Sequence, residues 1–248
     1  MTLSLIARSA DARLFGMVIV SSSPAVAARC AHARAGVGVV ATQNITDPTL
    51  GPAILNTLGG GSTAAAALQK VLSGTPHAAY RQVQTLGLSG PAALHTGAQA
   101  LGITGMAAGA NSAAAGNLLA NAEVPSAMVD AFERASGHFG ARLLEGLRAG
   151  AAQGGEAGPL HSAGLLIVRE VSWPVADLRV DWSDEDPIAA LAALWGIYEP
   201  QIDDYVRRAL DPGAAPSFGV PGDPSVPGDP SVAGDPRIPG DPKSIVDE

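Results

Sequence analysis

The sequence predicts an α+β protein in which two mainly antiparallel sheets face one another and helices cover their outer sides. Three observations carry this. Strand-like and helix-like segments come in clusters instead of strict alternation, which disfavours a doubly wound parallel sheet. Of the 248 residues 47% are hydrophobic but only 4% aromatic and 15% charged, with 30 glycines. A core of such small and aliphatic side chains lets sheets and helices approach closely. The length is enough for one large domain and an appendage, and residues 1–210 read as that domain, with 211–248 as a C-terminal tail.

The chain opens on two β-rich segments, Thr2–Ala7 and Leu14–Ser21, separated by the polar run Arg8–Arg13, so a hairpin brings them side by side. Ser21-Ser22-Ser23-Pro24 stops the second strand and offers a cap, and the alanine-rich Ala25–Ala35 reads as a short helix. Gly36–Gln43 returns to a buried strand. Between Pro48 and Ser73 the Gly59-Gly60-Gly61 run divides two short helices, the second being Thr63–Leu72. Arg81–Leu88 and Ala92–Thr96 are the next strands. From Gly97 to Asn117 the chain is so rich in Gly, Ala, Ser and Thr that local propensity decides nothing.

Val124–Ala135 and Phe139–Ala152 form a helical pair broken at Ser136-Gly137, with Pro125 tolerated in a first turn. Ser162–Glu170 and Asp177–Trp182 are strands. A helix follows from Pro187 to Leu210, with Ile188, Leu191, Leu194, Trp195 and Tyr198 as its apolar stripe and Pro200 as a kink or break. The tail repeats a hexad four times, from Val220-Pro221-Gly222-Asp223-Pro224-Ser225 to Ile238-Pro239-Gly240-Asp241-Pro242-Lys243. One apolar residue per hexad cannot build a core, so the tail reads as extended or flexible, or as an arm docking Val220, Val226, Val232 and Ile238 on a subunit.

Charge narrows the function. Of the formal −8, residues 211–248 contribute −5 with seven acids and two bases, which leaves −3 on the body. A body with no basic stripe argues against nucleic acid as a partner. The single Cys30 excludes an internal disulfide, and the five histidines show no metal-ligand spacing, so no metal and no cofactor are expected. Leu14–Val20 is too short to span a bilayer and lacks signal-peptide flanks, so the expected location is cytoplasmic.

Thr2 is the residue with chemistry to offer. If it carries the free α-amine of the mature chain, it holds both a hydroxyl nucleophile and a base of pKa about 7.7–8.0 able to take its proton. The blocks Thr2–Arg8, Ala35–Gln43, Gly116–Ala120, and Gly154-Gly155-Glu156 with Ser162-Ala163 together resemble, in register and in order over about residues 2–200, the bacterial family catalogued as domain of unknown function 1028.

That resemblance implies the N-terminal nucleophile hydrolase superfamily, its four-layer αββα sandwich and its amide-bond cleavage, with Thr2 as the nucleophile at the start of a central strand. Gln43, Asn44 and Asn117 are then candidate oxyanion or substrate-binding donors, and Ser21 and Ser23 candidate orienters of the amine; each fits a capping or turn role as well. Two departures stand out. Gly158-Pro159-Leu160-His161 replaces the Arg-Gly-x-Gln run of many members, and Lys70 and Lys243 are the only lysines, which leaves little material for lysine-assisted threonine chemistry. His95 and His161 precede Thr96 and Ser162, but no GxSxG elbow accompanies a serine. The expected function is an amidohydrolase acting on a small-molecule amide, and the expected partner is a second copy of the chain in a homodimer with tail contacts. The alternative is a non-catalytic binding or assembly protein using its C-terminal arm.

Overall fold

The computed structural model describes residues 2–216; the hexad repeat of the tail lies outside the described residues. Two compact units meet in sequence at Glu199 and Pro200. The first is a four-layer αββα sandwich. Its larger sheet has six antiparallel strands: β1 (Thr2–Arg8), β2 (Phe15–Ser21), β7 (Gly105–Ala108), β8 (Ser112–Asn117), β9 (Ser162–Val168) and β10 (Ala176–Val180), in the order β10-β9-β2-β1-β8-β7. The smaller sheet, β3 (Ala31–Arg34), β4 (Gly38–Asn44), β5 (Arg81–Gly87) and β6 (Ala93–Thr96), is also antiparallel and keeps chain order.

The sheets bury a shared core of Ile6, Phe15, Met17, Ile19, Val39, Ala41, Leu86 and Leu166. Side chains alternate across a strand, so β1 sends Thr2, Ser4 and Ile6 toward the smaller sheet and Leu3, Leu5 and Ala7 toward the helices. On that helical side α4 (Val124–Arg134), α5 (Phe139–Ala152) and α6 (Pro187–Tyr198) cover the larger sheet. Gly146 and Gly150 of α5 admit Leu5 and Leu3 against the helix backbone. Asp186 caps α6 by accepting from the Ile188 and Ala189 amides at 2.9 and 3.0 Å. On the opposite side α2 (Leu50–Gly59) and α3 (Ala64–Ser73) pack Ile54, Leu55, Leu58, Ala67 and Leu68 against Val40 and Val83. Each large aliphatic side chain buried in this way contributes about 1.5–3 kcal/mol.

One segment differs from the sequence-based expectation, and two that the sequence leaves open are decided by the structure. Ala25–Ala35 is not one helix: a single turn, α1 (Val26–Cys30), gives way to β3, whose Ala31–Arg34 pairs with Gly38–Ala41 across a turn at Gly36 with φ 67°. Local alanine content favours helix, but the edge of the smaller sheet offers a full ladder, and tertiary pairing wins over propensity. The undecided stretch 97–117 supplies β7 and β8, and β8 is a central strand built from Ser, Ala, Gly and Asn. Pro200 does end the long C-terminal helix: a 3₁₀ turn over Glu199–Gln201 separates α6 from α7 (Ile202–Leu210).

In the second unit, α7 places Asp203 and Asp204 in its first turn and Arg207 and Arg208 in its last, matching the helix dipole at both ends. Arg208 then holds the carbonyl of Pro216 at 3.0 Å. Among the described residues no helix is long and apolar enough to cross a membrane.

Candidate functional site

Thr2 begins the strand that lies between β2 and β8, directly opposite Ser21 on one side and Asn117 on the other. Its side chain points into the space between the sheets and is 6% exposed. The hydroxyl lies 3.2 Å from Ser21 Oγ, which lies 2.9 Å from Ser23 Oγ, and Ser23 Oγ accepts from the Arg29 guanidinium at 2.9 Å. Three hydroxyls thus run from Thr2 to a cation. The Ser23 amide also donates to Ser21 Oγ at 3.2 Å, which holds the chain where β2 turns toward α1.

Ser162, opposite Ser21 on β9, is a brace in the same corner: its hydroxyl donates to Ser23 O at 2.6 Å and accepts from the Val26 amide at 3.2 Å.

Beside this chain lies a buried carboxamide cluster. Ser4 Oγ donates to Gln43 Oε1 at 2.6 Å, and the Gln84 carboxamide lies 2.6 Å from the same hydroxyl. Gln43 Nε2 donates to Gln82 Oε1 at 2.8 Å and to Ala115 O at 3.1 Å, so both of its N–H groups are committed inside the protein. Gln82 is the hub. Its Oε1 also accepts from Asn117 Nδ2 at 3.2 Å, and its Nε2 donates to Gly116 O and Thr96 Oγ1, both at 2.9 Å. The small residues of β8 let these long side chains cross from the smaller sheet to the backbone of the larger one.

The structure therefore brings Thr2, Ser21, Ser23, Asn117 and Gln43 to one end of the inter-sheet space. Asn44 is turned elsewhere. At φ 72° it donates to Tyr80 O at 2.5 Å and accepts from the Leu101 amide at 3.2 Å, tying two loops to the end of β4. His95 bonds Ala78 O at 3.1 Å; His161 bonds Ser183 O at 2.8 Å and stacks on Trp182 at 4.2 Å.

One residue without a role in the sequence reading belongs to this corner. Glu156 follows the left-handed pair Gly154 and Gly155 after α5, and its backbone bridges to Leu119, two residues beyond Asn117. Oε2 accepts from the Ser22 amide at 3.3 Å; Oε1 is buried without a hydrogen-bond partner. Burial pushes the carboxyl up to about 8, against the opposing pull of the positive amino terminus and the Ser22 hydrogen bond.

Nearby, a cleft of about 470 Å³ is lined by Arg148, Leu160, His161, Asp184, Asp186 and Ile188. It does not include Thr2, but the His161 amide donates to Ser21 O at 2.9 Å, so its wall is continuous with the Thr2 corner. Among the described residues no three His, Cys, Asp or Glu side chains gather as a metal site. Cys30 is buried, and burial pushes its thiol up, away from the reactive thiolate.

No curated protein matches the sequence. Among solved structures, protein SPO2555 from Silicibacter pomeroyi is similar with TM-score 0.76 and 29% identity, over 84% of this chain and 90% of that one. Anbu (ancestral beta-subunit) from Yersinia bercovieri aligns with TM-score 0.38 and 12% identity, over 83% and 97%. The family described as one of unknown function, DUF1028, matches residues 2–191, and the Silicibacter pomeroyi protein is of that family too. With the match running through every strand and helix up to α6, this chain belongs to the DUF1028 family.

Proposed function

We propose that the protein is an N-terminal threonine amidohydrolase. Thr2 Oγ1 attacks a substrate carbonyl while the α-amine of Thr2 takes the hydroxyl proton. The tetrahedral intermediate collapses, the C–N bond breaks, and the ammonium returns the proton to the leaving nitrogen. Water then cleaves the acyl ester. The observation that carries this reading is the setting of Thr2: first residue of an inner strand, hydroxyl bonded to Ser21, facing a polar cluster between two sheets. Asn117, opposite Thr2 with one N–H on Gln82, is the best-placed side chain for the intermediate's oxygen. The substrate class is a small amide, in keeping with a body of low charge and few aromatics.

The reading requires Thr2 to be the first residue of the mature chain, which intact mass decides. With that established, Thr2→Ala and Thr2→Ser are compared with wild type on a panel of small amides. Retention in Thr2→Ser with loss of about 100-fold or more in Thr2→Ala supports the proposal; equal turnover by Thr2→Ala ends it. The burial of Thr2 and the full commitment of Gln43 favour one rival, in which the cluster ties the sheets together and the chain is a binding or assembly protein. That rival expects no acyl adduct on Thr2 under any substrate.

A further inference from the structure

Glu156 sits just beyond the start of β1. β2 and β8 flank β1 and end level with it in the Ser21–Thr2–Asn117 row, and the chain runs on from them to Ser22 and to Leu118 and Leu119. Glu156 meets both continuations: its carboxylate oxygen Oε2 accepts from the amide of Ser22, and its backbone lies opposite Leu119 in a bridge made by the Ala157 amide on Leu118 O and the Ala120 amide on Gly155 O. The second oxygen, Oε1, has no partner, although the residue is 7% exposed. Among the described residues no ion pair reaches it. A buried carboxyl oxygen left empty costs free energy that the fold could recover only by supplying a donor. The donor that belongs at the end of β1 is an amino group.

We propose that Glu156 is a positioning residue of the Thr2 site, whose Oε1 receives the α-amine of the mature chain and fixes that base beside the Thr2 hydroxyl. This rests on the reading of Thr2 as the N-terminal residue. The chemistry is a carboxyl and an amine that share a proton: the amine is held by a partner that can neutralise its ammonium and can take the proton back when the amine must act as base. Ser21 holds the hydroxyl from one side, and Glu156 holds the amine from the other. Gly154 and Gly155 at φ 121° and 59° deliver the residue by a turn that few other sequences would make.

The test uses protein released from a fusion so that Thr2 is the first residue, with the threonine α-nitrogen labelled by ¹⁵N. In wild type the carboxylate raises the titration midpoint of the amine; in Glu156→Gln, which keeps the shape and removes the charge, the midpoint falls by about one pH unit or more. The acidic limb of the kcat/KM profile on any amide the protein turns over, where the amine must lose its proton to act as base, moves down with it. An unchanged amine titration in folded Glu156→Gln overturns the inference.

Should that variant not fold, the ¹³C titration of the Glu156 carboxyl in wild type decides. Blocking the amine by acetylation must move the carboxyl midpoint upward, and an unmoved midpoint is refuting. A shifted amine together with full activity in Thr2→Ala would leave the role of Glu156 intact and remove the hydrolase reading instead.

Discussion

Glu156 makes stability fall as pH rises, and the size of the fall can be worked out. Its carboxyl titrates at about 8 in the folded protein against 4.5 unperturbed, because burial disfavours the carboxylate. Between those values the folded chain binds a proton that the unfolded chain has lost, so unfolding releases a proton and stability declines with pH. The stability is fully present below about pH 4.5 and is lost as pH climbs through 8. At about 1.4 kcal/mol per pH unit the loss is roughly 5 kcal/mol, a large part of the total stability of a domain this size.

The assay is urea unfolding of wild type and Glu156→Gln at half-unit steps from pH 5 to 9. Other groups titrate in the same window. His32, pushed down by burial, is one, and it acts in the opposite direction, gaining stability as pH rises. His32 is common to both proteins, so the difference between the curves isolates Glu156 together with the amine it faces. Expected is a gap that opens in favour of the variant by several kcal/mol over this range. Parallel curves would refute both the burial argument and the assignment of the raised value.

Three further outcomes are expected. Gln82→Ala removes the hub of four hydrogen bonds and strands N–H groups of Gln43 and Asn117, so chemical unfolding should show a loss of about 3–5 kcal/mol; less than about 1 would mean that water replaces the hub at no cost. Thr85 Oγ1 is buried without a partner, so Thr85→Val, of the same shape, should leave stability unchanged or raise it by up to about 1 kcal/mol in the same assay. Gly146→Leu must displace Leu5, because even a Cβ would lie 2.8 Å from Leu5 Cδ2 and 3.0 Å from Met128 O; a loss of about 1–3 kcal/mol, read as a lower Tm, is expected.

Much of the fold was legible because patterning and geometry agree. The β-rich Thr2–Ala7 and Leu14–Ser21, the Pro125 and Pro187 helix starts and the Gly59-Gly60-Gly61 break all appear in the structure at or near their expected places. Ala31–Arg34 misled because its residues suit a helix, and only the free edge of β4 makes them a strand. Ser112–Asn117 carries no β-branched residue at all; it is a strand because β1 and β7 pair with it on either side, and its small side chains leave room for the Gln82 and Gln43 bonds to Gly116 O and Ala115 O. Within the candidate site, Thr2, Gln43, Ser21 and Ser23 could be named from their places at strand ends, and Asn117 only as a carboxamide beside a glycine. Gln82 and Gln84 could not, since the spacing i, i+2 says they share a face but not that this face is the buried one. Glu156 was readable only as part of a Gly-Gly-Glu run, because its place depends on where α5 ends relative to β2.

The polar corner is also an energetic anomaly for this sequence. The remainder of the inter-sheet core is Ile, Val, Met, Phe, Leu and Ala, and a purely structural sandwich could continue in the same way to its end. Instead Ser4, Gln43, Gln82, Gln84 and Asn117 are all buried there, each needing partners in a region where an orphaned group costs about 1–3 kcal/mol. All five spend those partners on one another, and Gln43 and Gln82 also on the backbone of β8, which fixes the two sheets in register around Thr2. Among the described residues of this corner, Glu156 Oε1 is the side-chain atom left open. A Thr2 ammonium seated there would stabilise the carboxylate and shrink the pH-dependent loss of stability, whereas a blocked terminus would restore it. Comparing the urea curves of free and acetylated chains thus measures the amine–carboxyl interaction through folding, with no substrate in the experiment; identical curves would place the amine away from Glu156.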